Sequence, residues 1–246
     1  INCMSDGTVH ELLYDNKTFF GIQCKDAQLP GYVTLIWQKL MEGSLTGTPY
    51  KEEDIQVISG YAKPDIIFST TVLNKSLQQM LRGKGQVLFK HYDRDFYKNE
   101  RVIHVNVNCY GMQRYVEESP GVLHSVVTLG MVNGEMGTLV DIIRSDKVTI
   151  HNFDEKDIEN STIYKDLDKA NLEELVKARE ERMDSIRDDS CIKDDKTYFV
   201  RVKVYDVDLK KDVYVLYVAR LRMRDGEKVL SGEDLSNLDL AYALTT

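Results

Sequence analysis

The spacing of apolar residues changes after the second of two helical stretches in this chain, and that change limits what it can fold into. Between Tyr32 and Met41 the residues Val33, Ile36, Trp37 and Leu40 recur at three and four, and Leu73, Leu77, Met80 and Leu81 repeat this spacing between Val72 and Leu81. Each set makes one apolar helical face. Arg82-Gly83-Lys84-Gly85 then places positive charge and glycine where a helix C-terminus favours them. From Val87 onward the period falls to two.

The helical stretches flank Asp54-Ile55-Gln56-Val57-Ile58-Ser59, a short apolar run of the kind a buried parallel strand uses. Helix, loop and strand in that order predict an α/β domain. Glu11 to Lys25 reads as strand, since Leu12, Leu13, Tyr14, Phe19, Phe20 and Ile22 are β-formers broken by a turn at Asp15-Asn16-Lys17.

The period-two region supplies strands at Val87 to Phe89, Arg101 to Asn108, Val122 to Leu129, Leu139 to Ile143 and Val148 to Ile150. Val132-Asn133-Gly134-Glu135 marks a tight turn, because Asn and Gly tolerate positive φ. Phe199 to Val204 and Val213 to Val218 alternate and are joined through a polar turn at Asp208 to Asp212. These two predict a hairpin, and short strands in succession predict a small antiparallel barrel covering 119–155 and 196–231.

Charge separates one further segment. The 246 residues carry 40 acidic and 32 basic side chains, a net charge of −8. Asp154 to Lys196 holds 15 acidic and 9 basic residues, so six of the eight excess negative charges lie there. Leu172, Leu175, Val176, Met183 and Ile186 form only a sparse apolar stripe in it, which predicts a solvated helical excursion over 156–195 and a surface for a protein partner.

Several function classes lack their residues. No run approaches the roughly 20 apolar residues of a membrane helix, and the first residues lack the pattern of a secretory signal. Cys3, Cys24, Cys109 and Cys191 are far apart with no C-x-x-C pair, which fits reduced thiols in a cytoplasmic protein and no metal site. Gly83-Lys84-Gly85 has neither the spacing nor the preceding strand of a phosphate loop, and the five histidines form no catalytic set. Arg94, Arg101, Arg114, Arg220, Arg222 and Arg224 could face phosphates, a solvated surface being the commoner fate of such residues. The start at Ile1 and the end at Thr246 after an apolar run suggest a piece of a longer protein.

Four segments, in order, resemble one family. Asp54-Ile55-Gln56-Val57-Ile58-Ser59, followed by Leu73-Asn74-Lys75-Ser76-Leu77-Gln78, resembles the start of the second RecA-like domain of RecD-like superfamily 1 DNA helicases. Arg101-Val102-Ile103 with Asn106 and Asn108 is similar to the family's G-D-R-V-I-x-x-x-N-[DN]-Y, with Asn99-Glu100 at the usual Gly-Asp and Cys109 offsetting Tyr110. Val132-Asn133-Gly134-Glu135-Met136-Gly137-Thr138-Leu139-Val140 resembles the F-N-G-[DE]-[IM]-G-x-V turn that opens the family's small barrel. Leu238-Asp239-Leu240-Ala241-Tyr242-Ala243-Leu244-Thr245-Thr246 is similar to the beginning of L-x-L-A-Y-A-x-T-x-H-K-x-Q-G, which couples bound ATP to single-stranded DNA.

The resemblance covers 52–150 and 198–246. It implies a partial second RecA-like domain over 1–118 and 232–246, an inserted SH3-like barrel over 119–155 and 196–231, and the acidic insertion between the barrel's parts. It implies ATP and Mg²⁺ as cofactors of an intact motor, with none expected for this chain alone, since the phosphate loop and the arginine-containing motif are missing. It implies single-stranded DNA as the partner, gripped by Asn74, Arg101, Asn108, Thr245 and Thr246, with Asn133, Gly134 and Gly137 shaping the barrel turn. The reading of a different class is a non-enzymatic protein-interaction module on an α/β scaffold.

Overall fold

A computed structural model describes residues 24–106, 112–126, 130–152, 173–174, 176–177, 180–181, 197–224 and 226–245. In chain order these form helix α1 (Leu29–Met41), strand β1 (Val57–Ser59), helix α2 (Thr70–Arg82) and strands β2 (Val87–His91), β3 (Arg94–Tyr97), β4 (Glu100–His104), β5 (Arg114–Ser119) and β6 (Val122–Val126). There follow β7 (Met136–Arg144), β8 (Thr149–His151), β9 (Thr197–Asp206), β10 (Lys211–Arg224), β11 (Glu227–Ser231), β12 (Leu238–Leu240) and β13 (Ala243–Thr245). The fold is mixed α/β with a sheet-rich core, and the chain divides into two compact units, 1–83 with 242–246, and 84–241.

In the first unit both expected helices form. Pro30 sits in the first turn of α1, where its missing N–H costs nothing. The apolar face of α1 buries Trp37, whose ring meets Tyr242 edge-on with centroids 6.1 Å apart. Ser69 caps α2 by accepting the Val72 N–H, and Leu73 and Leu77 are buried below it. Gly83 ends α2 with φ −58°, so its absent side chain matters for contact and not for handedness: a Cβ there would press on the Gln79 carbonyl oxygen.

Strand β1 runs parallel to β13, with Val57 opposite Ala243 and Ser59 opposite Thr245. The expectation of a buried strand holds only in part. Among the described residues this sheet has two strands, and Ile58 is 66% exposed.

The second unit is built on one nine-stranded sheet in the order β12-β4-β7-β9-β10-β5-β6-β8, with β11 paired to the far part of β10. Strands β2 and β3 make a separate hairpin. The hairpin expected from 199–204 and 213–218 forms and is longer than its alternation suggested, with Lys211 opposite Asp206 and Arg220 opposite Thr197. The expected turn also forms. Gly134 has φ +92°, its N–H donates to the His104 carbonyl, and Met136 then enters β7.

Gly137 faces β9 so closely that a Cβ would lie 2.6 Å from Val202 Cγ1 and 2.7 Å from the Lys203 carbonyl oxygen.

Two features depart from a small closed antiparallel barrel. Among the described residues the ladder is an open path, because β7 pairs with β4 on one side and β9 on the other, so that β4 and β12 extend the sheet. Strands β6 and β8 are parallel, Leu123 opposite Ile150, since β7 carries the chain across the sheet between them. The strand-like stretch expected at 11–25 lies outside the described residues up to position 23. Most of the acidic excursion does too; 173–174, 176–177 and 180–181 are helical, with Lys177 and Glu181 paired at i, i+4.

Two arginines, Arg201 buried and Arg114 partly so, tie the sheet's strands together. A register shift in β7 between Leu139 and Asp141 brings Asp141 opposite Arg201 of β9. Arg201 grips both Asp141 oxygens at 2.7 and 2.6 Å, donates to Glu117 at 2.8 Å, and lies over the Tyr214 ring. The Asp141 carboxylate, more than burial opposes it, holds the Arg201 pKa above the ordinary guanidinium value. Arg114, one of the arginines considered for phosphates, spans instead to Glu135 at 2.7 Å, Asp206 at 2.9 Å and the Gly130 carbonyl.

Candidate functional site

The first unit holds a cleft of about 450 Å³ lined by Cys24, Leu29, Tyr32, Val33 and Ile36 on one side, and by Val57 to Tyr61 with Phe68 and Leu73 on the other. It runs along β1 and past its C-terminal end to Gly60 and Tyr61. The loop from Gly60 to Ser69 returns the chain to α2 and forms one wall. Ser59 anchors that loop: its hydroxyl donates to the Phe68 carbonyl at 2.7 Å and accepts the Tyr61 N–H at 3.2 Å. Thr71 Oγ1 donates to the Ala62 carbonyl, and the Thr70 N–H to the Tyr61 carbonyl.

With Ser59 engaged in this way, the surfaces offered to a ligand are mainly apolar and aromatic. Tyr61 and Phe68 meet edge-to-face with centroids 5.0 Å apart, and the Tyr61 side chain is half exposed. Tyr32 adds a second partly exposed ring from α1. Walls of this kind suit a flat unsaturated ring. Among the described residues no group of three or more His, Cys, Asp or Glu side chains is placed to hold a metal, and no helix is long and apolar enough to cross a membrane.

The residues singled out in the sequence are divided between the two units. Thr245 ends β13, exposed, opposite Ser59. Asn74 is buried in α2, with its amide engaged by Ala243, two residues before Thr245. Arg101 belongs to the second unit, partly buried in β4 opposite Thr138, and its carbonyl accepts the Ala241 N–H. Asn108 and Thr246 lie outside the described residues. Asn106 takes φ +76° and donates to the Ser236 carbonyl, bracing the approach to β12. Asn133 and Gly134 occupy the turn before β7, and Gly137 lies within it.

The chain matches no protein-family model and no curated protein. Tyr32, Tyr61 and Phe68 escaped the sequence reading because none belongs to a recurrent pattern. The signal available was local, an aromatic placed directly after Ser59-Gly60 at the end of an apolar strand.

Proposed function

We propose that this chain is part of a RecD-like superfamily 1 DNA helicase acting on DNA in the cytoplasm, in replication or repair. In this reading the first unit is the RecA-like part that grips single-stranded DNA, and the large sheet of the second unit is the counterpart of the family's inserted SH3-like barrel. The acidic insertion is a surface for a protein partner.

One observation supports the reading most. The Leu73-Asn74 segment and the Leu-Ala-Tyr-Ala-Leu-Thr segment are separate parts of the resemblance, far apart in the chain, yet Asn74 clasps Ala243 and β13 lies beside β1. Segments that act together in a motor are expected to be neighbours.

The chemistry assigned to this chain is limited to grip. Its sequence carries no phosphate loop, and the described residues supply no acidic set for Mg²⁺, so no step of ATP hydrolysis is placed on them. ATP and Mg²⁺ belong to the intact protein in this proposal. Grip on a single strand uses aromatic faces for bases and backbone or hydroxyl groups for phosphates, and the cleft offers Tyr61, Phe68 and Tyr32 beside Thr245.

Anisotropy of a labelled oligothymidylate titrated with the chain tests the reading. Binding at low salt is expected, weakened in Tyr61→Ala by about 1–3 kcal/mol, the loss of one base–aromatic stack. Absence of binding by the unaltered chain at low salt would overturn it and favour a protein-interaction module.

A further inference from the structure

Strands β6 and β8 run parallel and in register, with Val122 opposite Thr149, Leu123 opposite Ile150 and His124 opposite His151. Side chains alternate along a strand, so the two histidines face away from the side on which Leu123 and Ile150 lie. Leu123 is buried in a cluster with Tyr115, Phe199 and Leu216, and Ile150 packs against that cluster. The core thus fixes the register, and the register sets two imidazoles side by side on the outer face. Their rings stack with centroids 4.5 Å apart and planes 19° from parallel.

Both rings are open to solvent: the His124 side chain is 44% exposed, and His151 is exposed as well. Strand β5 adds a carboxylate. Its pairs Glu117–Leu123 and Ser119–Val122 leave Glu118 between them with no residue opposite, as in a bulge. Glu118 Oε2 stands 2.8 Å from Nε2 of His124, in ion-pair contact. The other described histidines differ, since His91 and His104 are buried and engaged at Nδ1 by the Leu230 carbonyl and the Tyr217 hydroxyl.

Imidazole is a donor suited to zinc, copper and nickel ions. Two imidazoles held by one tetrahedral ion through bonds of about 2.0–2.1 Å have ring centres about 5 Å apart. The stacked pair stands close to that separation, so a slight spreading of the rings admits an ion between their nitrogens.

We propose that His124 and His151 are the two protein ligands of a site for a late first-row divalent metal ion such as Zn²⁺. Water completes the coordination shell, and the charge of Glu118 favours a cation beside His124. Two protein donors fall short of the three or four of catalytic and structural zinc centres, so the ion is exchangeable. Its effect is to clip β8, a three-residue strand that pairs with β6 alone among the described residues. The site is independent of the function proposed above.

The full chain, with its thiols alkylated so that sulfur does not compete, is titrated with zinc chloride by calorimetry beside His124→Gln and His151→Gln. Each protein is first checked for an unchanged metal-free melt; His151 is exposed, so its replacement leaves the core untouched. One ion per chain is expected, bound about tenfold or more weakly in either variant. Zinc should also raise the melting temperature of the unaltered chain by mass action, and do so less in both variants. Unchanged affinity in either variant would give the ion to other donors and leave the two rings a stacking contact. No heat and no melt shift up to ~1 mM zinc would remove the site.

Discussion

Asn74 holds Ala243 by both of its backbone groups: Nδ2 donates to the carbonyl at 3.0 Å and Oδ1 accepts the N–H at 2.7 Å. A side chain amide thereby takes the place of a neighbouring strand for one residue of β13. Asn74→Ala leaves two buried backbone groups without partners, and unmet groups of this kind cost about 1–3 kcal/mol each. Urea unfolding followed by circular dichroism should register a loss of about 2–6 kcal/mol on the same basis. A loss within the ~0.5 kcal/mol typical of surface changes would mean that the clasp does not bear on stability.

Gly137 should be irreplaceable for a steric reason. A Cβ would press on Val202 Cγ1 and on the Lys203 carbonyl oxygen, and the latter is backbone that cannot turn aside. Gly137→Ala is expected to cost about 1–3 kcal/mol, the range for overpacking. The same change at Gly134, where a Cβ meets nothing within 4 Å but φ is +92°, isolates backbone strain from crowding. Comparing the two thermal melts checks the distinction.

Arg201 and Asp141 should behave as one unit. Arg201→Met leaves Asp141 and Glu117 without their cation; breaking a fully buried pair from one side costs about 3–5 kcal/mol, and the partial exposure of both carboxylates places the cost here below that range. Asp141→Asn in the Arg201→Met background should therefore cost much less than it does alone. A double-mutant cycle by chemical unfolding measures the coupling, and strict additivity would contradict the geometry.

Glu135 sets a pH dependence of definite sign. Burial pushes its carboxyl above the ordinary glutamate range, Arg114 pulls against that shift, and the neighbouring Asp206 adds to it. A folded-state pKa above the unfolded one means that the folded chain binds more protons through this window. The associated stability is complete below the unfolded pKa and is lost as pH rises through the folded one. Relative to Glu135→Gln, the unaltered protein should gain stability as pH falls through the carboxylate range. Melting both proteins across that range tests it; a gain as pH rises would reverse the assignment.

Much of the secondary structure was legible because it is local. The three-and-four spacing at Val33, Ile36 and Trp37 and at Leu73 and Leu77 placed both helices, and the alternation in Phe199 to Val204 placed the main hairpin. Non-local pairing was not legible. Nothing near Val102 indicates that Leu240 will lie opposite it, so the sheet's growth beyond the expected segments could not be read from periodicity. The parallel pairing of β6 with β8 is of the same kind.

Polar roles were the least legible. Asn74 occupies a buried place on a helix face, where composition alone cannot separate ligand contact from backbone clasp. Arg114 and Arg220 both stand in alternating strands, yet the first is largely enclosed and the second exposed. Which occurs depends on the partner strand brought alongside.

The pairing of β1 with β13 also orders events in time. On the ribosome, α1, β1 and α2 emerge long before Ala243 does, so the apolar faces of both helices and the edge of β1 wait while every strand of the second unit is made. Long-range pairing of this sort pays for loop closure before any contact rewards it, which slows folding and prolongs exposure of sticky surface. The second unit also waits for a late strand, since β12 pairs with β4, but it is continuous in sequence and ends before Tyr242 is made. Synthesis therefore favours completion of the inserted sheet first, with the unit that surrounds it in sequence closing last around Asn74 and Tyr242.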